Sequence, residues 1–245
     1  IGNIFKDKGR LKESIDSYNK ALLYKPDFAE VYNNMGNVFK YEGRYSQSLK
    51  AYEKAISLNS DYAEVYNNMG LNFQDQGKQK EALEAYHKAL SLNPNFAEAH
   101  LNMSFTLLNS GRVKEGLDEY EWRFETKDVM SQKRLFSKPL WDGKQSLHDK
   151  TILIWSEQGV GDTINWSSCL SLIASQAEKC ILECQEKLVP LLKRSFPDIE
   201  IKPENRSTDK IRDEFDFHLP MGSLYKYFIS QIKANGKVTS YLAPN

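Results

Sequence analysis

The stretch "AEVYNNMGNVFKYEG" (Ala29–Gly43) decides how the first half of the chain folds, and most of it returns 34 residues later as "AEVYNNMG" (Ala63–Gly70). Read at the helical period, it puts Tyr32, Met35, Gly36 and Phe39 on one face. The next segment, "SQSLKAYEKAISLN", does the same with Leu49, Tyr52, Ala55 and Ile56. Outward from these two helices the same marks repeat every 34 residues: Gly9, Gly43, Gly77 and Gly111; Tyr18, Tyr52, Tyr86 and Tyr120; Ala21, Ala55 and Ala89. Self-similarity at that period is the mark of a helix-turn-helix array. Gly36 and Gly70 let helices approach closely, while Gly43, Gly77 and Gly111 end the first helix of each pair. Pro26 and Pro94 fall where one unit gives way to the next.

The pattern Tyr66, Met69, Gly70, Phe73, Ala82, Tyr86 and Pro94 resembles the tetratricopeptide repeat, over residues 1–128. The array comprises the tail of one repeat, two full ones at 29–62 and 63–96, and a degenerate last one. In that last unit Ser104, Gly116 and Arg123 replace small and Ala positions, as happens where an array ends. In this family the first helix of each pair lines a concave groove. Asn34, Asn68 and Asn102 recur at one position of that helix, with Asn33, Asn67 and Asn37 beside them. Such a row can bond an extended peptide backbone of any sequence, or can simply solvate an exposed helix face. A similar asparagine ladder marks the repeats of O-linked N-acetylglucosamine transferase, and that resemblance implies a protein or peptide partner. The Lys and Arg pattern that clamps a chaperone's C-terminal carboxylate is missing. Leu101, Phe105 and Leu108 form an apolar stripe on the last unit, which implies cover from residues between Tyr120 and Trp141 and a fixed orientation of the two halves.

After Lys127 the helical period fades. Residues 129–150 read as a linker with an anchoring Trp141, and residues 151–245 as an α/β domain with a parallel sheet of Rossmann type. "TILIW", "KCILEC", "IEIKP" and "FDFHLP" read as strands, and "DTINWSSCLSLIASQ" and "EKLVPLLKRSF" as helices. The loop "EQGVGDT" (Glu157–Thr163) follows the first strand. It is not a dinucleotide fingerprint, because the third glycine is replaced by Ile164 and Asp162 would repel a pyrophosphate at the helix N-terminus. A Walker loop is excluded for want of Gly-Lys-Ser/Thr.

"EQGVGD" and "DFHLPMGSL", with "WDG", "LVPLL", "YLAPN" and the junction "YEWRF", resemble the amino-terminal half of a heptosyltransferase-like glycosyltransferase of the two-Rossmann GT-B fold, which bacterial proteins fuse to these repeats. The resemblance covers residues 115–245. It implies Asp162 as the candidate general base, with Glu157, Gln158, Gly159, Gly161 and His218 as acceptor-cleft candidates. A nucleotide sugar would be held by a carboxyl-terminal domain that this chain does not contain, so the chain alone would be inactive. Each residue also has a plain structural reading: Asp162 as the N-cap of a helix from Thr163, the glycines as turn formers, His218 as a packed side chain. Sugar transfer and a non-catalytic protein-interaction scaffold therefore both stay open.

Composition limits the alternatives. Lys plus Arg equals Asp plus Glu at 33 each, and the chain has 17 basic and 19 acidic residues up to Asp128, so no nucleic-acid partner is implied. The longest uncharged run, "TINWSSCLSLIASQA", is too short and polar to span a bilayer. The chain opens in mid-pattern with no signal peptide ahead of it. Cys180 and Cys184, on one strand, stand roughly 13 Å apart, too far for a disulfide, and a reduced cytoplasmic protein is expected. No cofactor is implied, and no residue spacing suits a metal.

Overall fold

The computed structural model describes residues 1–127, 134, 136–157, 159–204, 214–234 and 242. It divides into two units, Ile1–Arg123 and Phe124–Asn245. The first is helical throughout: α1 (Gly2–Asp7), α2 (Leu11–Tyr24), α3 (Ala29–Tyr41), α4 (Tyr45–Leu58), α5 (Ala63–Asp75), α6 (Gln79–Leu92), α7 (Ala97–Asn109) and α8 (Val113–Tyr120). Each odd-numbered helix ends in the same way. Gly43 takes φ +72°, its N–H donates to Lys40 O at 2.9 Å and Arg44 N–H donates to Phe39 O at 2.8 Å. These two bonds are the Schellman ending, and Gly9, Gly77 and Gly111 repeat it. The residue after the glycine then lies back over the helix, with the Arg44 guanidinium 4.5 Å from the Phe39 ring centroid.

Pairing within a repeat depends on the small residue at mid-helix. A Cβ on Gly36 would stand 2.3 Å from the Tyr52 ring, and one on Gly70 would stand 2.4 Å from Tyr86. The close approach lets each tyrosine hydroxyl reach back to the first helix: Tyr18 donates to Asn3 Oδ1, and Tyr52 donates to Asn37 Oδ1 at 2.7 Å. Leu71 stands where Asn37 would recur, so Tyr86 donates instead to Gln74 Oε1 at 2.8 Å, one turn further on. In the last repeat Ser104 and Gly116 are buried at the positions read from the sequence as departures. Arg123, at the expected alanine, is fully buried; it donates to Tyr120 O and to Glu121 Oε1, and its guanidinium lies 4.5 Å from the Tyr120 ring centroid. Tyr120 meets Phe105 edge-on and Trp122 stacks on His100 at 4.0 Å, so this end of the array is closed by its own aromatics. Phe105 nevertheless stays 43% exposed.

The second unit holds a small parallel sheet of β1 (Thr151–Trp155), β2 (Lys179–Cys184), β3 (Glu200–Pro203) and β4 (Phe217–Pro220), in the order β3-β2-β1-β4. Ile152, Ile154, Cys180, Leu182, Cys184, Ile201 and Leu219 pack in one core with residues of α9 (Val160–Trp166), α10 (Leu170–Ala174), α11 (Val189–Ser195) and α12 (Leu224–Ala234). Alternate residues Leu153, Trp155 and Ile181 form a second cluster with Phe215, Phe124 and Phe136. Beside it Arg134 donates to Glu183 Oε2 at 2.6 Å, and Glu183 is 1% exposed. Residues 136–150, a linker on the sequence reading, belong to this unit: Trp141 and Leu147 are buried in its core. The expected helix 162–176 is two α-segments joined by a 3-10 turn at Ser167–Cys169, and it begins earlier, at Val160. All three cysteines are free and buried; burial pushes their thiols up to about 12 for Cys169 and Cys180 and about 11 for Cys184, so none is a nucleophile at neutral pH. Among the described residues no helix is long and apolar enough to cross a membrane.

Candidate functional site

Among the described residues two places could act on another molecule, and each lies within one unit. The first is the outward stripe of the odd-numbered helices, which lie side by side as α3 against α5 and α5 against α7. Residues at i, i+4, i+7 and i+11 share a face. On α3 these are Glu30, Asn34, Asn37 and Tyr41; on α5 Glu64, Asn68, Leu71 and Asp75; on α7 Glu98, Asn102, Phe105 and Asn109. All twelve are exposed or half-buried, whereas Asn33 and Asn67 beside them are buried.

The amides therefore divide into two roles. Asn68 Nδ2 donates to Asn33 Oδ1 at 2.9 Å and Asn102 Nδ2 donates to Asn67 Oδ1 at 3.0 Å. Asn33 and Asn67 brace one repeat against the next, and Asn33 also donates to Glu64 Oε1 at 3.4 Å. Asn68 and Asn102 keep one N–H and the carbonyl oxygen for the outer face. Asn34 is half-buried on the same row, and Asn37 is half committed through the Tyr52 hydroxyl. Glu30, Glu64 and Glu98, one turn ahead of the amides, complete each stripe. Their spacing is as plain in the sequence as that of the amides, although a glutamate in the first turn of a helix is too common to attract notice.

The family described as "TPR repeat" matches residues 2–41 and 36–77, and "Tetratricopeptide repeat" matches residues 63–96. Residues 2–96 are tetratricopeptide repeats. Solved structures similar to the chain include MamA, at 25% identity over 54% of this chain and 77% of that protein, with a TM-score of 0.47. YrrB, described as a TPR protein with an unusual peptide-binding site, is 24% identical over 52% of this chain and 66% of its own, with a TM-score of 0.43. The pilF protein of Pseudomonas aeruginosa is 24% identical over 54% of this chain and 61% of its own, with a TM-score of 0.47. No curated protein matches the sequence. The family matches end at residue 96, and no glycosyltransferase resemblance accompanies them.

The second place is the carboxyl end of β1, where the α/β unit beyond the tetratricopeptide repeats turns into α9. Here β2 and β4 flank β1 on opposite sides, so strand order reverses. Open parallel sheets keep their ligand crevice at such a point. Glu157 is 2% exposed and its Oε1 accepts the Gly222 N–H at 3.1 Å. It joins the end of β1 to the turn after β4 and does not line an open cleft. Gln158 lies outside the described residues. Gly159 is the residue before α9, so Asp162 is not the N-cap; it is exposed in the first turn. Thr163 secures that turn, its hydroxyl donating to Gln185 Oε1 at 3.0 Å. Neither Gly159 nor Gly161 has a positive φ. Among the described residues a Cβ on Gly161 would meet nothing within 4 Å, and one on Gly159 would meet only Asp162 Oδ2 at 3.5 Å, so the turn itself does not require glycine.

His218 is not part of this crevice. It pairs with Leu153 in mid-sheet, is 9% exposed, and lies 4.4 Å from the Phe136 ring. Burial, and then the nearby Arg134 guanidinium, pull its pKa down to about 4. The ring is therefore neutral at pH 7, and since Trp155 Nε1–H donates to Nδ1 at 3.3 Å, its proton sits on Nε2. The imidazole held in that way packs against the rings of Phe136, Trp155 and Phe215.

Proposed function

We propose that the stripe of Asn34, Asn68 and Asn102 binds an extended polypeptide segment and that the protein is an interaction scaffold. The observation that carries this is the oriented amide row. Bonds to Asn33 and Asn67 hold the Asn68 and Asn102 carboxamides in place, with a donor and an acceptor left over on each. A donor and an acceptor on a preset amide are what a peptide backbone needs, whatever its side chains.

The amides differ in what their loss should do. Asn34→Ala is expected to weaken binding of peptides selected on the protein from a random library while leaving the urea midpoint unchanged. Asn68→Ala with Asn102→Ala should weaken binding further and also lower stability, by about 1–3 kcal/mol for each buried carbonyl left without a donor. Unaltered affinity in both variants would return the row to mere solvation of a helix face.

A second reading rests on Gly159, Gly161 and Asp162. A glycine inside a helix costs about 0.5–1 kcal/mol relative to alanine, and the fold makes no use of Gly161. That glycine, directly before an exposed carboxylate at a point of strand reversal and in the first turn of a helix capped by Gly159, supports a site where a ligand comes close to the backbone. We propose sugar transfer in a protein that includes a further, donor-binding domain, the α/β unit serving as one half of a GT-B fold. Asp162 would take the proton of an acceptor hydroxyl lying within about 3 Å. Asp162→Asn in that full-length protein is expected to keep the fold, since the side chain is exposed, and to lower turnover with nucleotide sugar by about 10²-fold. Wild-type turnover in the Asn variant would remove Asp162 from the chemistry.

A further inference from the structure

The stripes of the repeat array are one-sided in charge. Asn3 and Asp7 on α1 continue the register of α3, α5 and α7, and the four stripes together hold Asp7, Glu30, Glu64, Asp75 and Glu98 with no Lys, Arg or His. Two of these carboxylates have cations of their own from beside the stripe: Asp7 has Lys6 at 4.0 Å, and Asp75 has Lys40 at 3.3 Å. Glu64 accepts the long bond from the neutral Asn33 amide. Among the described residues, Glu30, Glu64 and Glu98 thus form a row of carboxylates without cations, running parallel to the amide row one helical turn away. The next row changes from Asn37 through Leu71 to the 43%-exposed Phe105, so the surface becomes apolar toward α7.

The spacing of the rows fixes a second property of the occupant. Neighbouring first helices, close enough for the Asn33–Asn68 bond, stand about 8–10 Å apart. A polyproline-II chain advances about 3.1 Å per residue with three residues per turn, so every third side chain points the same way at a repeat of about 9 Å. A β-strand would present its third residue to the opposite side. We infer that the groove takes a basic polypeptide segment in a polyproline-II conformation, with Lys or Arg at every third residue opposite Glu30, Glu64 and Glu98 and an apolar side chain over Phe105. This rests on the reading of the amide row as a polypeptide site.

The test uses the whole chain and four labelled peptides of twelve residues, followed by fluorescence anisotropy at low and moderate salt. One peptide repeats Lys-Ala-Pro, one holds the same residues with the lysines clustered, one replaces lysine by glutamine, and one replaces it by glutamate. The Lys-Ala-Pro peptide should bind about tenfold or more tightly than the glutamine peptide, lose that advantage as salt rises, and lose it also in the Glu30→Gln, Glu64→Gln, Glu98→Gln triple variant. The triple variant should bind the glutamine peptide as the parent does, which shows the groove intact. Equal binding of the lysine and glutamine peptides would sink the basic preference and leave the polypeptide site standing. Equal binding of the clustered peptide would sink the three-residue register. Tighter binding of the glutamate peptide, or full retention of lysine-peptide binding by the triple variant, would overturn the role of the row. No binding of any peptide would overturn both this inference and the reading beneath it.

Discussion

Glu183→Ala is expected to lower stability by about 3–5 kcal/mol, more than the loss of any amide in the row. Glu183 sits in β2, between β1 and β3, at 1% exposure, and its partner Arg134 has a side chain only 15% exposed. The guanidinium also lies over aromatic rings, 4.8 Å from the Phe136 centroid and 5.7 Å from that of Trp155. Removing the carboxylate takes away an anion 2.6 Å from a cation that is itself mostly buried, and that lost compensation causes most of the loss. Glu183→Gln keeps the shape and an acceptor and should fall between Ala and wild type. A Glu183→Leu, Arg134→Met double variant should lose less than Glu183→Ala, because both charges leave together. Urea denaturation of the four proteins gives the order directly; a Glu183→Ala midpoint equal to wild type would show that the pair contributes nothing.

The second large effect comes from the smallest side chains. In an exposed helix Gly→Ala stabilises by about 1 kcal/mol. Gly36→Ala and Gly70→Ala should each do the reverse and cost about 1–3 kcal/mol, since the new methyl would lie 2.3 or 2.4 Å from a tyrosine ring in the packed interior. Tyr52 and Tyr86 are both fully buried, so their rings cannot swing clear without moving a neighbour. Gly161→Ala is the control: among the described residues nothing stands within 4 Å of its Cβ, and a modest gain is expected. Thermal melts of the three variants test the contrast, and a gain at Gly36 would mean that the helices of that repeat stand farther apart than the Tyr52 contact requires.

These residues also show which parts of the structure are legible in sequence. A repeat is legible because every constraint is expressed several times: the glycine that needs positive φ, the glycine under the tyrosine and the tyrosine itself all return at one spacing. "TILIW" and "KCILEC" coincide with β1 and β2 because a buried parallel strand is a continuous apolar run with sharp ends. The start of α9 is not legible, since a glycine before a helix offers no side-chain signal and the next polar residue, Asp162, draws attention to itself. The helix at Leu224–Ala234 is absent from the elements read in the sequence, where "DFHLPMGSL" stands only as a motif. Arg134 and Glu183 are 49 positions apart with no pattern to link them. His218 can be read either way from the sequence, because the rings of Phe136 and Trp155 around it come from distant positions. On the outward stripe the amides are legible as a row; that Asn33 and Asn67 are braces and Asn68 and Asn102 are what they hold is not, because adjacent letters differ only in which side of the helix they face.

The brace bonds join residues 35 positions apart, one repeat length plus one. The module of residues 63–96 accordingly carries both a donor for the module before it, Asn68, and an acceptor for the module after it, Asn67. If tandem duplication inserts another copy of residues 63–96, the seam between the copies is complementary from the first generation, and the row gains one rung with no compensating mutation. Recombination alone can then lengthen or shorten the reach of the face while each rung keeps its chemistry, so the length of the array and its selectivity are free to evolve separately.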